Sequence, residues 1–323
     1  MKIIPYGKQF IDKNDQKEVL NSLKQELITG SGVYQNKFEK QIKNFLKCKY
    51  VVSCSSGTAA IHLALKSLKC REGDNIIMPA INFISSYNIS KMMNLNIYLA
   101  DVHQDTGQVT NKTIEACIKL NKLKKIKAII VMYLGGYTFN IPQIYKLKKK
   151  YKCFLIEDAC HALGGSYINK KNKFMIGSCK HADISTFSLH PVKSITSGEG
   201  GILTTNNKAF FEIATKFKSH NLIRNSKKYW EYSIKEPGLN YRLSDINCAL
   251  AYSQLKKIKK FIKKRNQIYN NYELNFKKIE KDILKFIKYE KGCNPSFHLF
   301  LVFINFKKIN SKKEELIKYL NNN

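Results

Sequence analysis

The sequence predicts an α/β fold: a three-layer αβα arrangement around a mostly parallel sheet, followed by a smaller α+β carboxyl-terminal domain. Three observations carry this expectation. From position 50 onward, short apolar runs alternate with amphipathic ones, the rhythm of βαβ units whose helices cover both faces of a sheet. The run Cys153-Phe154-Leu155-Ile156 is apolar throughout, as a strand buried on both sides is. The chain has 323 residues, 44% of them hydrophobic, enough for a substantial core and, by domain size, for two domains. We place these at 1–242 and 243–323.

The elements follow in order. Residues 14–27 read as an amphipathic helix capped at Asn14, and 36–46 as another. Strands are expected at 50–54, 75–78, 96–100, 128–132 and 153–156, with helices between them at 58–67, 84–93, 113–120 and 143–150. Strands at 183–187 and 201–205 flank a glycine-rich turn. A long helical tract from 243 to about 280, broken near its middle, leads into the smaller domain, with a strand at 299–304 and a helix at 312–320.

Composition excludes several classes. No apolar run approaches the roughly 20 residues that span a bilayer, and Met1 to Lys8 lacks the apolar core of a leader. Both point to the cytoplasm. Nine cysteines, scattered without CxxC or metal-like Cys/His clustering, fit a reduced compartment and predict no metal site. The net charge of +32 invites a nucleic-acid reading. Against it, only Arg71, Arg224, Arg242 and Arg265 are arginines, lysine and asparagine abound everywhere, and the basic runs lack aromatic interleaving. We expect no nucleic acid and no membrane as partner, although the charge suits an anionic small molecule.

Three segments carry chemistry. Lys193 follows a strand and leads into the turn Ser197-Gly198-Glu199-Gly200-Gly201. A lysine presented from a rigid turn, out of bulk water, suits Schiff-base chemistry, since the amine attacks a carbonyl only after losing its proton. Asp158, in Glu157-Asp158-Ala159-Cys160-His161, stands at the carboxyl end of a strand, where open α/β sheets place ligands. The bland reading is an acid capping the next turn. Ser55-Ser56-Gly57-Thr58-Ala59-Ala60 turns from a strand into a helix, whose start suits an anion. It is neither a P-loop nor GxGxxG, so ATP and NAD lose their main support. Cys160 reads as a structural thiol rather than a nucleophile.

Together with Gly238-Leu239-Asn240-Tyr241-Arg242-Leu243-Ser244-Asp245, these motifs resemble the sugar-nucleotide aminotransferases of the DegT/StrS family, from about residue 3 to about 305. The resemblance implies the fold type I architecture of pyridoxal phosphate enzymes, with pyridoxal 5'-phosphate as cofactor. It implies that Lys193 holds the cofactor and moves a proton, that Asp158 pairs with the pyridine nitrogen, and that His161 lies by the ring hydroxyl. Gly57, Thr58, Ala59 and Ser188 would hold the phosphate, Phe83 would stack on the ring, and Asn240 would reach the phosphate of the other subunit, giving a homodimer. Gly30, Tyr6 and Arg242 would border the sugar nucleotide. Within the family, Ser219-His220 and the Asn240 motif look similar to enzymes that aminate a UDP-linked 4-keto-6-deoxy-N-acetylhexosamine, feeding pseudaminic acid and related surface sugars. A dehydratase branch carries histidine at the Schiff-base position, so Lys193 argues for transamination, with glutamate as amino donor.

One departure keeps a second reading open. Family members continue for several tens of residues past the segment matching Phe297-His298-Leu299-Phe300, whereas this chain stops at Asn323. The expectation is an incomplete small domain. The alternative is therefore a catalytically inactive homologue that serves as a cofactor- or sugar-nucleotide-binding subunit.

Overall fold

A computed structural model of the chain describes residues 5–224, 227–228, 230–287 and 289–322; Met1 to Ile4, part of the stretch read for a leader, lie outside them. The first two helices are α1 (Lys13–Leu23) and α2 (Val33–Leu46). An alternating series follows: β1 (Tyr50–Cys54), α3 (Gly57–Ser67), β2 (Asn75–Pro79), α4 (Ser85–Met92), β3 (Asn96–Ala100), α5 (Asn111–Leu120), β4 (Ala128–Met132), α6 (Ile141–Lys150) and β5 (Phe154–Asp158). Next come a hairpin, β6 (Ser166–Asn169) and β7 (Asn172–Met175), then β8 (Ile184–Ser188), β9 (Gly201–Thr205) and α7 (Lys208–Phe217). The chain continues with β10 (Leu222–Arg224), β11 (Tyr232–Ile234), α8 (Asp245–Lys256) and α9 (Ile258–Phe276). It closes with β12 (Leu284–Phe286), β13 (Cys293–Asn294), β14 (Val302–Ile304) and α10 (Lys313–Asn322).

The main sheet has seven strands in the order β1-β9-β8-β5-β4-β2-β3. All pairs from β3 to β8 are parallel, and β9 runs antiparallel to both its neighbours. This is the mostly parallel sheet that the βαβ rhythm predicts. Consecutive strand residues point to opposite faces, and each face has its own core. Val51, Ile77, Ile129, Leu155 and Ile202 pack with α2, α5, α6 and α8. Their neighbours Val52, Ile76, Ile130, Ile156 and Leu203 pack with α3, α4 and α7. A third, smaller core gathers Tyr137, Tyr269 and Ile287 with Phe297, Phe300 and Phe303.

The element boundaries differ from expectation where a cap decides them. The cap of α1 is Asp12 rather than Asn14: its carboxylate accepts from Asn14 and Asp15 N–H, and Asp15 answers as a capping box. The long tract breaks at Lys257, between α8 and α9. The hairpin β6–β7, helix α7 and the short strands β10 to β13 are additions that the sequence reading lacks. No helix among the described residues is long and apolar enough to cross a membrane, and no metal-like cluster of His, Cys, Asp or Glu occurs among them.

Candidate active site

Because β1 and β8 both run antiparallel to β9, their carboxyl ends lie on the same sheet edge as that of β5. The register makes this explicit, with Gly201 opposite both Cys54 and Ser188. Along this edge lies a cavity of about 390 Å³, lined among others by Ser56, Gly57, Thr58, Asp158, Lys193 and His298.

Its first wall is the start of α3. Ser56 caps the helix, its hydroxyl accepting from Ala59 N–H at 3.0 Å. The N–H groups of Gly57 and Thr58, in the first turn, have no intrahelical acceptor. Ala59, whose N–H the cap holds, is not among the residues lining the cavity. Close packing makes the glycines necessary here. A Cβ on Gly57 would stand 2.9 Å from Ser188 Cβ, and one on Gly201 would stand 2.1 Å from the Ser56 carbonyl oxygen. The Gly238–Asp245 motif braces this wall from behind. Ser55 N–H donates to Tyr241 O at 2.9 Å, and the Tyr241 hydroxyl lies 3.1 Å from His62 Nδ1.

The second wall carries the charges. Asp158, 1% exposed, accepts from Cys160 N–H at 3.2 Å. Burial pushes its carboxyl above the usual range, while its bonds to Cys160 and the charge of Lys193 pull the other way. Lys193 sits in the β8–β9 loop, pinned by Lys193 N–H to His190 O at 2.9 Å and Ser197 N–H to Leu189 O at 3.0 Å. Burial lowers its pKa, toward the neutral amine, and the nearby Asp158 and Cys160 oppose this. The Cys160 thiol is pushed well above its ordinary value by burial and by Asp158, so it is not a ready thiolate.

The third wall is a pair of imidazoles. His161 and His298 stack with ring centroids 4.3 Å apart and planes tilted 38°. Burial holds His161 down to about 3 and His298 to about 2, helped by the positive charge of Lys193. Both rings are therefore neutral.

Of the residues singled out in the sequence, Tyr6, Gly57, Thr58, Phe83, Asp158, His161, Ser188 and Lys193 meet in this cavity. Gly30 and Arg242 meet each other elsewhere: a Cβ on Gly30 would stand 2.8 Å from Arg242 Cβ. Asn240 is exposed, bridged to Ser219, and outside its own chain's cavity. Sequence reasoning missed Ser85, Met132, His190, Glu199 and His298 among the lining residues. His190 and Glu199 lie within the lysine motif itself, 3.9 Å apart, and could have been read from it.

Pyridoxal 5'-phosphate fits these residues. A free helix start that a Cβ would fill suits its phosphate. A buried carboxylate suits a protonated ring nitrogen. A mostly parallel sheet with amine, acid and anion cradle on one strand edge defines the class of fold type I pyridoxal phosphate enzymes. Within that class, the chain belongs to the DegT/DnrJ/EryC1/StrS aminotransferase family, whose profile matches residues 9–323. It is 35% identical over 318 residues to a UDP-4-amino-4,6-dideoxy-N-acetyl-beta-L-altrosamine transaminase of Campylobacter jejuni, covering 98% of this chain and 81% of that one. It is 31% identical to a GDP-perosamine synthase of Escherichia coli O157:H7, covering 99% and 82% respectively. Among solved structures it resembles Helicobacter pylori PseC, an aminotransferase involved in the biosynthesis of pseudoaminic acid, with a TM-score of 0.87, 28% identity, and coverage of 98% and 83%.

Proposed function

We propose that this protein is a pyridoxal phosphate-dependent aminotransferase that moves an amino group from glutamate to a nucleotide-linked 4-keto-6-deoxy sugar. The proposed sugar is UDP-linked and destined for a bacterial surface glycan of the pseudaminic acid type. The observation that carries the reading is the meeting of Lys193, Asp158 and the α3 cradle in one cavity. The names of the relatives support the sugar, and the 35% identity to a UDP-sugar transaminase supports the nucleotide.

When bound, the cofactor supplies an electron-accepting ring that stabilises negative charge developing on the substrate carbon. The protein supplies the rest. Gly57 and Thr58 N–H groups, with Ser188, would hold the phosphate, and Phe83 would cover the ring. Asp158 keeps a proton at the ring nitrogen. Lys193, inclined to the neutral amine by burial, is the nucleophile that anchors the cofactor. Its amine would also serve as the base and acid that takes up and returns a proton at the substrate carbon. Neutral His161 offers a hydrogen bond at the ring hydroxyl. Asn240, exposed on its own chain, reaches the site of a second copy, so the working unit is a homodimer. Gly30, Arg242 and Tyr6 border the sugar nucleotide. The unpaired state of all nine cysteines supports the cytoplasm as compartment.

An absorption titration tests this. Pyridoxal phosphate should give the wild type a visible band, glutamate should bleach it, and Lys193→Ala should never form it through its own lysine. Absence of the band in wild type ends the cofactor reading. A band that glutamate leaves unchanged favours the inactive-homologue alternative.

A further inference from the structure

Asp158 is an acid almost out of reach of water. Its carboxylate ends β5 and is 1% exposed. A buried carboxylate is costly unless donors fill its acceptor sites, of which its two oxygens offer about four. The Cys160 N–H fills one, 3.2 Å from Oδ1. Lys193 lends a positive charge nearby. In the proposed reaction that amine is engaged elsewhere, so it is not a constant part of the acid's surroundings.

Two neutral side-chain donors are constant, and the reaction as derived above leaves both unused. Ser86, in the first turn of α4, is fully buried. Asp158 is the one acceptor for its hydroxyl among the described residues. The helix start that brings Phe83 to the cavity thus also brings a hydroxyl to the acid. The second donor is the Cys160 thiol. It keeps its proton, since burial and Asp158 hold it well above its ordinary value, and toward a carboxylate an S–H can only donate. The thiol is also fixed from its other side, with Sγ 3.4 Å from where a Cβ on Gly57 would stand. It is therefore lodged between the acid and the start of α3.

We propose that the Ser86 hydroxyl and the Cys160 thiol are positioning residues: both donate to Asp158 and hold its carboxylate in one orientation, as the partner of a protonated ring nitrogen. The inference rests on the aminotransferase reading above. Both side chains act through Asp158.

The test compares two cofactors on the full-length chain: pyridoxal 5'-phosphate, and its 1-deaza analogue, in which C–H replaces the ring nitrogen. The two share the phosphate and the aldehyde, so a substitution that merely loosens the cavity weakens both alike. Calorimetry should show wild type preferring pyridoxal phosphate. Ser86→Ala should weaken pyridoxal phosphate binding about threefold to tenfold, and Cys160→Ala about twofold to threefold, as suits the weaker S–H donor. The deaza analogue should bind each alanine variant as it binds wild type. Ser86→Thr and Cys160→Ser, which keep a hydroxyl, should bind pyridoxal phosphate as wild type does. If Ser86→Ala does not fold, Cys160→Ala and Cys160→Ser make the same comparison. Equal weakening of both cofactors, weakening of neither, no preference in wild type, or no recovery in Cys160→Ser would each overturn the proposal. Wild type that forms the visible band yet fails these tests refutes this inference alone; wild type without the band refutes the aminotransferase reading.

Discussion

His161 and His298 stay neutral because an imidazolium out of water, beside Lys193, is costly. That neutrality is measurable as acid sensitivity. Folded values of about 3 and about 2 lie below the roughly 6.5 of an unfolded histidine. Between these limits the unfolded chain binds protons that the native chain refuses. Their contribution to stability is thus fully present above about pH 6.5 and is lost as pH falls toward the folded values, by up to about 1.4 kcal/mol per pH unit for each ring. Urea midpoints of the cofactor-free protein from pH 4 to 7.5 should fall with acid, and less steeply in His298→Gln. Equal slopes would mean that His298 titrates normally. The glycines of the cradle make a sharper pair. Gly57→Ala puts its Cβ 2.9 Å from Ser188 Cβ, an atom tied to the end of β8, so the cradle must open there, and pyridoxal phosphate affinity should fall about tenfold or more. Gly201→Ala drives a Cβ into backbone at 2.1 Å and should cost the fold itself, visible as lost near-UV circular dichroism. Lys193, Asp158 and Gly57 were legible in the sequence because each sits at a strand end or helix start with a local pattern. His298 carries no such pattern. It comes from a coil, and only tertiary packing brings it to the cavity that Lys193 lines.

At the level of elements, the Gly238–Asp245 motif does more structural work than its place in a sequence match conveys. Asp245 is fully buried and accepts from Tyr34 N–H at 3.0 Å and Gln35 N–H at 2.7 Å. It serves as the missing side-chain cap of α2, whose own N-cap, Gly32, has none. A Cβ on Gly32 would stand 2.4 Å from the Asp245 carboxylate, which explains a glycine there. Ser244 meanwhile caps α8. Asp245→Ala should therefore destabilise the protein by at least about 1–2 kcal/mol in chemical denaturation, the usual value of a lost cap, and Asp245→Asn should restore part of it. No change in Asp245→Ala would show that α2 is held by its apolar face alone. The same view explains which elements the sequence made visible. Strands β1 to β5 and the helices between them show because burial on two faces leaves apolar runs of clear length. Helix α7 was missed although Asn207, its cap, stands before an amphipathic run; that signal was available. The β6–β7 hairpin was hidden because its turn uses Lys170 at φ +51 rather than a glycine, so no Asn-Gly or Gly-Gly pair announced it.

At the scale of the whole molecule, the geometry of Asn240 gives the homodimer a decisive test. A residue that served its own chain's cofactor would line its own cavity, and Asn240 does not. If it completes the neighbouring site instead, every site is built from Lys193 of one copy and Asn240 of the other, the arrangement that a two-fold interface imposes. Lys193→Ala and Asn240→Ala homodimers should each fail, the first for want of its amine and the second for want of phosphate affinity. In a mixed dimer one site carries both defects and the other carries neither. Unfolding and refolding an equal mixture should therefore restore glutamate-bleachable absorbance in roughly a quarter of all sites, since half the dimers are mixed and each has one intact site of two. Light scattering should show the species at about twice the 37.3 kDa chain mass. Recovery no greater than the sum of the two inactive parents would mean that Asn240 acts within its own chain, and a monomer by scattering would remove the shared site altogether.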